Sequence, residues 1–314
     1  MSVLALDLGG SHVGCAVVEN GLVLASSDVA TNGRWLRELL PELAARLRDN
    51  CRASGTSAEE CRGIGIGFPA IVDSRSGEIL STLGDKFADL TAADLRAWSN
   101  SEFGLPVRIE NDAKLALLGE RFAGAAKGFE DVVMVTLGTG IGVAVMLQNR
   151  LLHSHMGQAG TLGGHLVVRF NGRPCVCGAI GCAEAEASTS VLPALCREWP
   201  GFAASSLAQE PELNFATLFH ARDAGDQVAG EVIAHCIAVW SALTVSLVHA
   251  YGPQLILFGG GISKRDDEIL RPLRTYVEQH SWKTIRGTAR IEAASLGADA
   301  AFVGAEAIFL EESV

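Results

Sequence analysis

A repeated strand, glycine turn and strand constrains this chain more than any other feature. The first copy runs through the apolar Val3 to Leu8, turns at Gly9-Gly10-Ser11 and resumes as Val13 to Glu19. The second runs from Val132 to Leu137, turns at Gly138-Thr139-Gly140-Ile141-Gly142 and resumes toward Met146. Either copy alone reads as an ordinary hairpin. Two together can hold one triphosphate from both sides, because glycine-rich turns offer backbone amides to phosphate oxygens. Asp7 ends the first strand beside its turn, where a carboxylate suits a hydrated magnesium ion. Asn20-Gly21, between Val13 to Glu19 and Leu22 to Val29, adds a strong hairpin signal.

A third strand ends in polar residues. Leu105-Pro106-Val107-Arg108-Ile109-Glu110-Asn111-Asp112-Ala113 runs straight into a helix of Ala, Leu and Glu from Lys114 to about Ala125. The carboxyl end of a strand is the usual ligand edge of an α/β sheet. Asp112, near a phosphate turn, is placed to act as general base for an incoming hydroxyl. Helix capping is the structural alternative for Asn111 and Asp112, and it accounts for one of the three polar residues.

Between residues 165 and 182 the chain carries His165, Cys175, Cys177 and Cys182 among glycines 163, 164, 172, 178 and 181. One nitrogen and three sulfurs suit a closed tetrahedral zinc, which would be structural because no position is left for water. Burial as small apolar residues, or disulfide pairing, is the competing reading. The Cys-x-Cys spacing is too tight for an easy bridge between its own members.

The remaining segments read as an α/β protein of two domains, within reach of 314 residues. The spacing of Leu36, Leu39, Leu40, Leu43 and Leu47 predicts a helix from Trp35 to about Arg52, and residues 62–69 a buried strand entering a loop. Asp85 and Lys86, in the loop from Ser81 to Asp89, touch a polar ligand or belong to a solvated connector. Helices are expected over Ala187 to Arg197, Asn214 to Arg222, Val228 to Tyr251 and Glu268 to Gln279, and a strand over Gln254 to Phe258. A last helix over Ala298 to Leu310 should return to the N-terminal part, and His235 and His249 read as core or surface residues.

A net charge of −11 argues against DNA or RNA as partner, since phosphate backbones are bound mainly through Lys and Arg. Eight cysteines without a basic, apolar leader fit a reducing cytoplasm, and we expect no export signal and no membrane span.

With these motifs in view the chain resembles the ROK family of sugar kinases and sugar-responsive repressors, within the actin/hexokinase-like ATPases. The resemblance runs through Asp7-Leu8-Gly9-Gly10-Ser11, Glu110-Asn111-Asp112-Ala113, Leu137-Gly138-Thr139-Gly140, His165 and the run from Cys175 to Glu184. It continues in Leu257-Phe258-Gly259-Gly260-Gly261-Ile262-Ser263 and Leu296-Gly297-Ala298-Asp299-Ala300. It implies a two-lobed, actin-like (ribonuclease H-like) α/β fold. Residues 1–110 with 297–314 would form the small lobe, and 111–296 a larger lobe with the zinc loop. Further, it implies ATP with Mg2+ and a structural Zn2+. Asp112 would take the proton of a sugar hydroxyl, the 6-OH by expectation, while Asn111 and Glu184 hold hydroxyls and His165 both ligates zinc and shapes the sugar pocket. Asp7, Gly9, Gly10, Ser11, Gly138, Thr139 and Gly140 would cradle phosphates and magnesium, and Gly259, Gly260 and Gly261 the nucleoside. A homodimer is also implied.

Two departures bear on the substrate. The family's Ala-Gly-Glu-x-Gly-His is here Ala159-Gly160-Thr161-Leu162-Gly163-Gly164-His165, with Thr161 in place of the sugar-binding Glu and one extra residue. The family's small-lobe Asn is missing from residues 81–86. Sites that hydrogen-bond a hydroxyl discriminate strongly, so such changes move substrate choice. Glucose is the default, with N-acetylmannosamine, N-acetylglucosamine and fructose as alternatives. A repressor of this family would carry a DNA-binding helix-turn-helix before the first strand, which here starts at Val3. A catalytically silent sugar-binding regulator would not explain two phosphate turns.

Overall fold

The computed structural model describes residues 1–82, 87–261 and 266–310. In chain order the first half holds β1 (Val3–Leu8), β2 (His12–Glu19), β3 (Leu22–Ala30), α1 (Leu36–Ser54), β4 (Ile64–Phe68), β5 (Ala70–Asp73), β6 (Glu78–Thr82), α2 (Ala92–Phe103), β7 (Val107–Asn111) and α3 (Asp112–Phe122). There follow β8 (Val132–Leu137), β9 (Ile141–Leu147), β10 (Arg150–Leu151), α4 (Ala183–Ala187), α5 (Leu192–Glu198), α6 (Phe215–Asp223), α7 (Gln227–Tyr251), β11 (Leu255–Gly259), α8 (Asp266–His280), β12 (Arg290–Ala293) and α9 (Ala300–Leu310). They form two compact units: Met1–Glu130 with Ala144–Thr161 and Ala294–Val314, and Asp131–Val143 with Leu162–Ala293.

The first unit is built on a five-stranded sheet in the order β3-β2-β1-β4-β7. β1 to β3 are antiparallel, joined at Asn20-Gly21, and β1, β4 and β7 are parallel. The turn residues take left-handed φ of 55° and 75°. Their N–H groups donate to the buried Glu306 carboxylate at 2.7 Å each, which anchors the hairpin to α9. α1 buries Leu36, Leu39, Leu43 and Leu47 in one core with Leu4, Leu6, Val17 and Ile66 of the sheet. On α9, Gly304 sits so close to α3 that a Cβ there would lie 1.8 Å from the Leu115 carbonyl oxygen, and one on Gly119 would lie 2.0 Å from that of Ala300. Two glycines facing across this crossing are why α3 belongs to the first unit, whose boundary falls after Glu130 and not near Asn111.

In the second sheet the order is β10-β9-β8-β11-β12, with β8, β11 and β12 parallel and the unit boundary inside β9. Within the second unit α7 packs on α4, α6 and α8. It is long and apolar enough to cross a membrane, yet 56% of that stretch is buried in the protein, as befits a core helix. Trp240 on α7 donates through Nε1 to the Ala187 carbonyl at 3.1 Å. The helix expected from Ala187 to Arg197 is in fact two, α4 and α5. Its Thr189 and Ser190 N–H groups leave the helix to bond the Gly138 and Thr139 carbonyls at 3.0 and 3.1 Å. The β5–β6 hairpin and β12, too short to show a period, have no counterpart in the sequence reading.

Candidate functional site

In the first unit, register alone gathers the acidic groups. Asp7, Gly67 and Glu110 stand side by side on β1, β4 and β7, and Asn111 and Asp112 follow at the end of β7. Gly67 leaves a bare floor between two carboxylate residues: a Cβ there would come within 3.1 Å of Asp7 Oδ1 and 3.6 Å of Asp112 Cα. Burial pushes Asp112 up to about 6 from an ordinary 3.8. Burial, then the charges of Asp112 and Asp28, push Asp7 up to about 7. Such a pair of crowded carboxylates is the donor set that a divalent cation would relieve.

Asn111 caps α3, its Oδ1 accepting the Lys114 N–H at 3.2 Å. Its Nδ2 donates to the Ala70 carbonyl at 3.1 Å and to Asp112 Oδ1 at 3.0 Å. Asp112 is therefore not needed as a cap. Its Oδ1 is oriented by Asn111 and by the Ala113 N–H at 2.9 Å. The Gly9-Gly10-Ser11 turn is held from behind, with Gly9 N–H on the His12 carbonyl at 3.0 Å and the Thr31 N–H and hydroxyl on the Ser11 carbonyl at 2.9 and 3.1 Å. Gly10 and Ser11 remain exposed.

In the second unit the Gly138-Thr139-Gly140 turn follows β8, and Gly259 ends β11 with Gly260 and Gly261 after it, at the same edge of parallel strands. Gly260 has φ 91°, and a Cβ on it would lie 2.1 Å from the Leu137 carbonyl oxygen, so only glycine lets the two turns abut. Glu184 Oε2 accepts the Ile141 N–H at 2.8 Å, in space left open by Gly140. Its Oε1 lies 3.9 Å from His165 Nε2.

His165 Nδ1 faces Cys175 Sγ at 3.4 Å, Cys177 Sγ and Cys182 Sγ are 3.6 Å apart, and the four ligand atoms all lie within 4.8 Å of one another. A tetrahedral zinc with Zn–S of about 2.3 Å and Zn–N of about 2.0 Å sets S···S near ~3.8 Å and S···N near ~3.5 Å. The cluster therefore fits zinc, and the sulfurs are too far apart for a disulfide at about 2.05 Å. With Nδ1 toward the sulfurs, Nε2 is left on the Glu184 side, 3.9 Å from Oε1 and so beyond a direct hydrogen bond. The loop can wrap because Gly181, at φ 76°, would bring a Cβ to 1.7 Å from the Arg169 carbonyl oxygen. Inside it the fully buried Glu186 accepts from the Arg173 N–H and, at 3.3 Å, from Arg169 Nη1.

Thr161 hydroxyl oxygen is buried and has no hydrogen-bond partner among the described residues. Asp85, Lys86, Ile262 and Ser263 lie outside the described residues. Thr31, Lys114 and Glu186 were missed by the sequence reading, and Thr31 and Glu186 carried no sequence signal; the small residues of the strand ending at Gly67 were read as permitting close approach of a neighbour.

The ROK family's model matches residues 3–312. A glucokinase of Halalkalibacterium halodurans is 30% identical over 309 residues, covering 96% of this chain and 92% of that protein. A putative xylose repressor of Caldicellulosiruptor is 26% identical, covering 99% of this chain and 78% of that protein. Among solved structures, a ROK family glucokinase from Streptomyces griseus in complex with glucose and AMPPNP has a TM-score of 0.81 at 28% identity, covering 97% of this chain and 98% of that one.

Proposed function

The chain belongs to the ROK family, and on that premise we propose that this sugar kinase transfers the γ-phosphate of ATP to the 6-hydroxyl of a hexose such as glucose, with Asp112 as general base. The observation that carries the reading is Asp112 itself. It is a carboxylate at a strand's carboxyl end, oriented by Asn111 and Ala113, with a proton affinity set near 6 by burial. A base with that affinity is ionised at neutral pH and still basic enough to accept a hydroxyl proton as the oxygen becomes nucleophilic.

The sugar's 6-oxygen attacks the γ-phosphorus, its proton passes to Asp112, and the bond to the bridging oxygen of ADP breaks. In the first unit Asp7 would hold a Mg2+ ion, and Gly9, Gly10 and Ser11 would meet phosphate oxygens. The metal supplies charge neutralisation for the phosphates. In the second unit Gly138, Thr139 and Gly140 would meet phosphate, Gly259, Gly260 and Gly261 the nucleoside, and Glu184 and His165 sugar hydroxyls. Cys175, Cys177 and Cys182 with His165 would hold Zn2+, which fixes the loop that presents them. Asn111 would bind a sugar hydroxyl while steering Asp112. Thr161, with its unpartnered buried hydroxyl, would accept or donate one sugar hydrogen bond where a glutamate would accept two.

A coupled ADP-release assay with ATP and Mg2+ against hexoses and N-acetylhexosamines tests the proposal. Glucose should lead the panel in kcat/KM. A preference of tenfold or more for an N-acetylhexosamine would replace the hexose assignment, and no sugar-dependent release with any member would refute kinase activity.

A further inference from the structure

One buried charge beside the base has no part in the reading above. Lys114, third residue of α3, is 1% exposed. Its Nζ lies 3.5 Å from Ser74 Oγ, 3.5 Å from His153 Nδ1 and 3.9 Å from Glu110 Oε1. These partners come from the turn after β5, the segment after β10 and the end of β7, all within the first unit. Stability alone would not choose a lysine here. The first turn of a helix favours acidic side chains, and burying an ammonium is costly unless it is paired. The pairing leads directly to the base: Glu110 Oε1 accepts the Asn111 N–H at 2.8 Å, and Asn111 Nδ2 donates to Asp112 Oδ1. Glu110 and Asn111 are themselves buried, 4% and 5% exposed, so the line from Lys114 toward Asp112 passes through buried side chains.

We propose that Lys114 is a positioning residue for phosphoryl transfer, its ammonium tying Glu110, and through it the Asn111–Asp112 pair, to Ser74 and His153. Ser74 and His153 fix the far end of the tie. His153 can accept at Nδ1 because burial, with the charges of Lys114 and Arg75, holds its imidazole down to about 4 and so neutral. The proposal rests on Asp112 being the base. A misplacement of about 1 Å at such a group is enough to cost on the order of 100-fold in rate.

Lys114→Met and the neutral pair Glu110→Gln/Lys114→Met, made in the full chain, test it. Lys114→Met leaves Glu110 buried without its counter-ion, whereas the double variant removes both charges and should recover the wild-type melting temperature. The double variant should still show a kcat at least tenfold below wild type, with sugar KM and calorimetric sugar affinity within about threefold. In 15N spectra, the Asn111 side-chain amide and His153 Nδ1 should both move. Wild-type kcat in the double variant would overturn the proposal, as would parallel losses of kcat, affinity and melting temperature. If wild type itself turned over no sugar, the kinase reading would fall. Unmoved Asn111 and His153 signals would then overturn the tie independently.

Discussion

Replacing Asp112 by Asn should make the protein more stable at neutral pH. Burial raises this carboxyl from 3.8 to about 6. At ~1.4 kcal/mol per pH unit, that opposes folding by about 3 kcal/mol wherever the folded protein must hold the charge. The amide oxygen of an asparagine can still accept from Asn111 Nδ2 and the Ala113 N–H, so little hydrogen bonding is lost. Asp112 keeps some exposed surface, which trims the gain to about 2 kcal/mol. The sign follows from the direction of the change. A carboxyl raised in the folded state penalises folding fully above about pH 6, progressively less between pH 6 and 3.8, and not at all below 3.8. Melting of the magnesium-free protein by calorimetry should show Asp112→Asn higher than wild type by roughly 3 °C at pH 7.5. The two should converge by about pH 4. A variant no more stable than wild type at pH 7.5, or a gap that widens on acidification, would refute the claim that burial of Asp112 raises its proton affinity.

Other perturbations have equally direct readouts. Cys177→Ala should drop bound zinc, by elemental analysis, from about one per chain to near zero and lower the melting temperature in the same samples; unchanged zinc content would remove the metal assignment. Gly304→Ala should cost about 3 kcal/mol in urea unfolding, because its Cβ would sit 1.8 Å from the Leu115 carbonyl and backbone must move to admit it. A loss under 1 kcal/mol would mean that α3 and α9 cross less tightly.

The sequence exposed the fold where the signal was local. Asn20-Gly21 marked its hairpin, the glycine turns marked strand ends, and the leucines of α1 marked a buried face. The residues 188–190 break was invisible because nothing in Ser-Thr-Ser forbids a helix; carbonyls of the Gly138-Thr139 turn draw its amides away. The site was legible in the same way. Asp7 and Asp112 could each be picked from a strand end, but their mutual crowding depends on β1, β4 and β7 lying side by side in register. Nothing in the sequence marks Lys114, at the start of a helix, as buried. Only packing shows that its charge is buried against Glu110. The cluster of His165, Cys175, Cys177 and Cys182 was the easiest to find, since spacing and donor chemistry sit in one short loop.

The most direct test of Asp112 as general base is kcat for the preferred sugar in wild type and Asp112→Asn, with sugar affinity measured by calorimetry on the same preparations. General-base catalysis and the geometry around Asp112 predict a fall in kcat of about 1,000-fold with sugar affinity within a few-fold of wild type. A variant that keeps kcat within tenfold would show that the proton leaves by another route and that Asp112 is not the base.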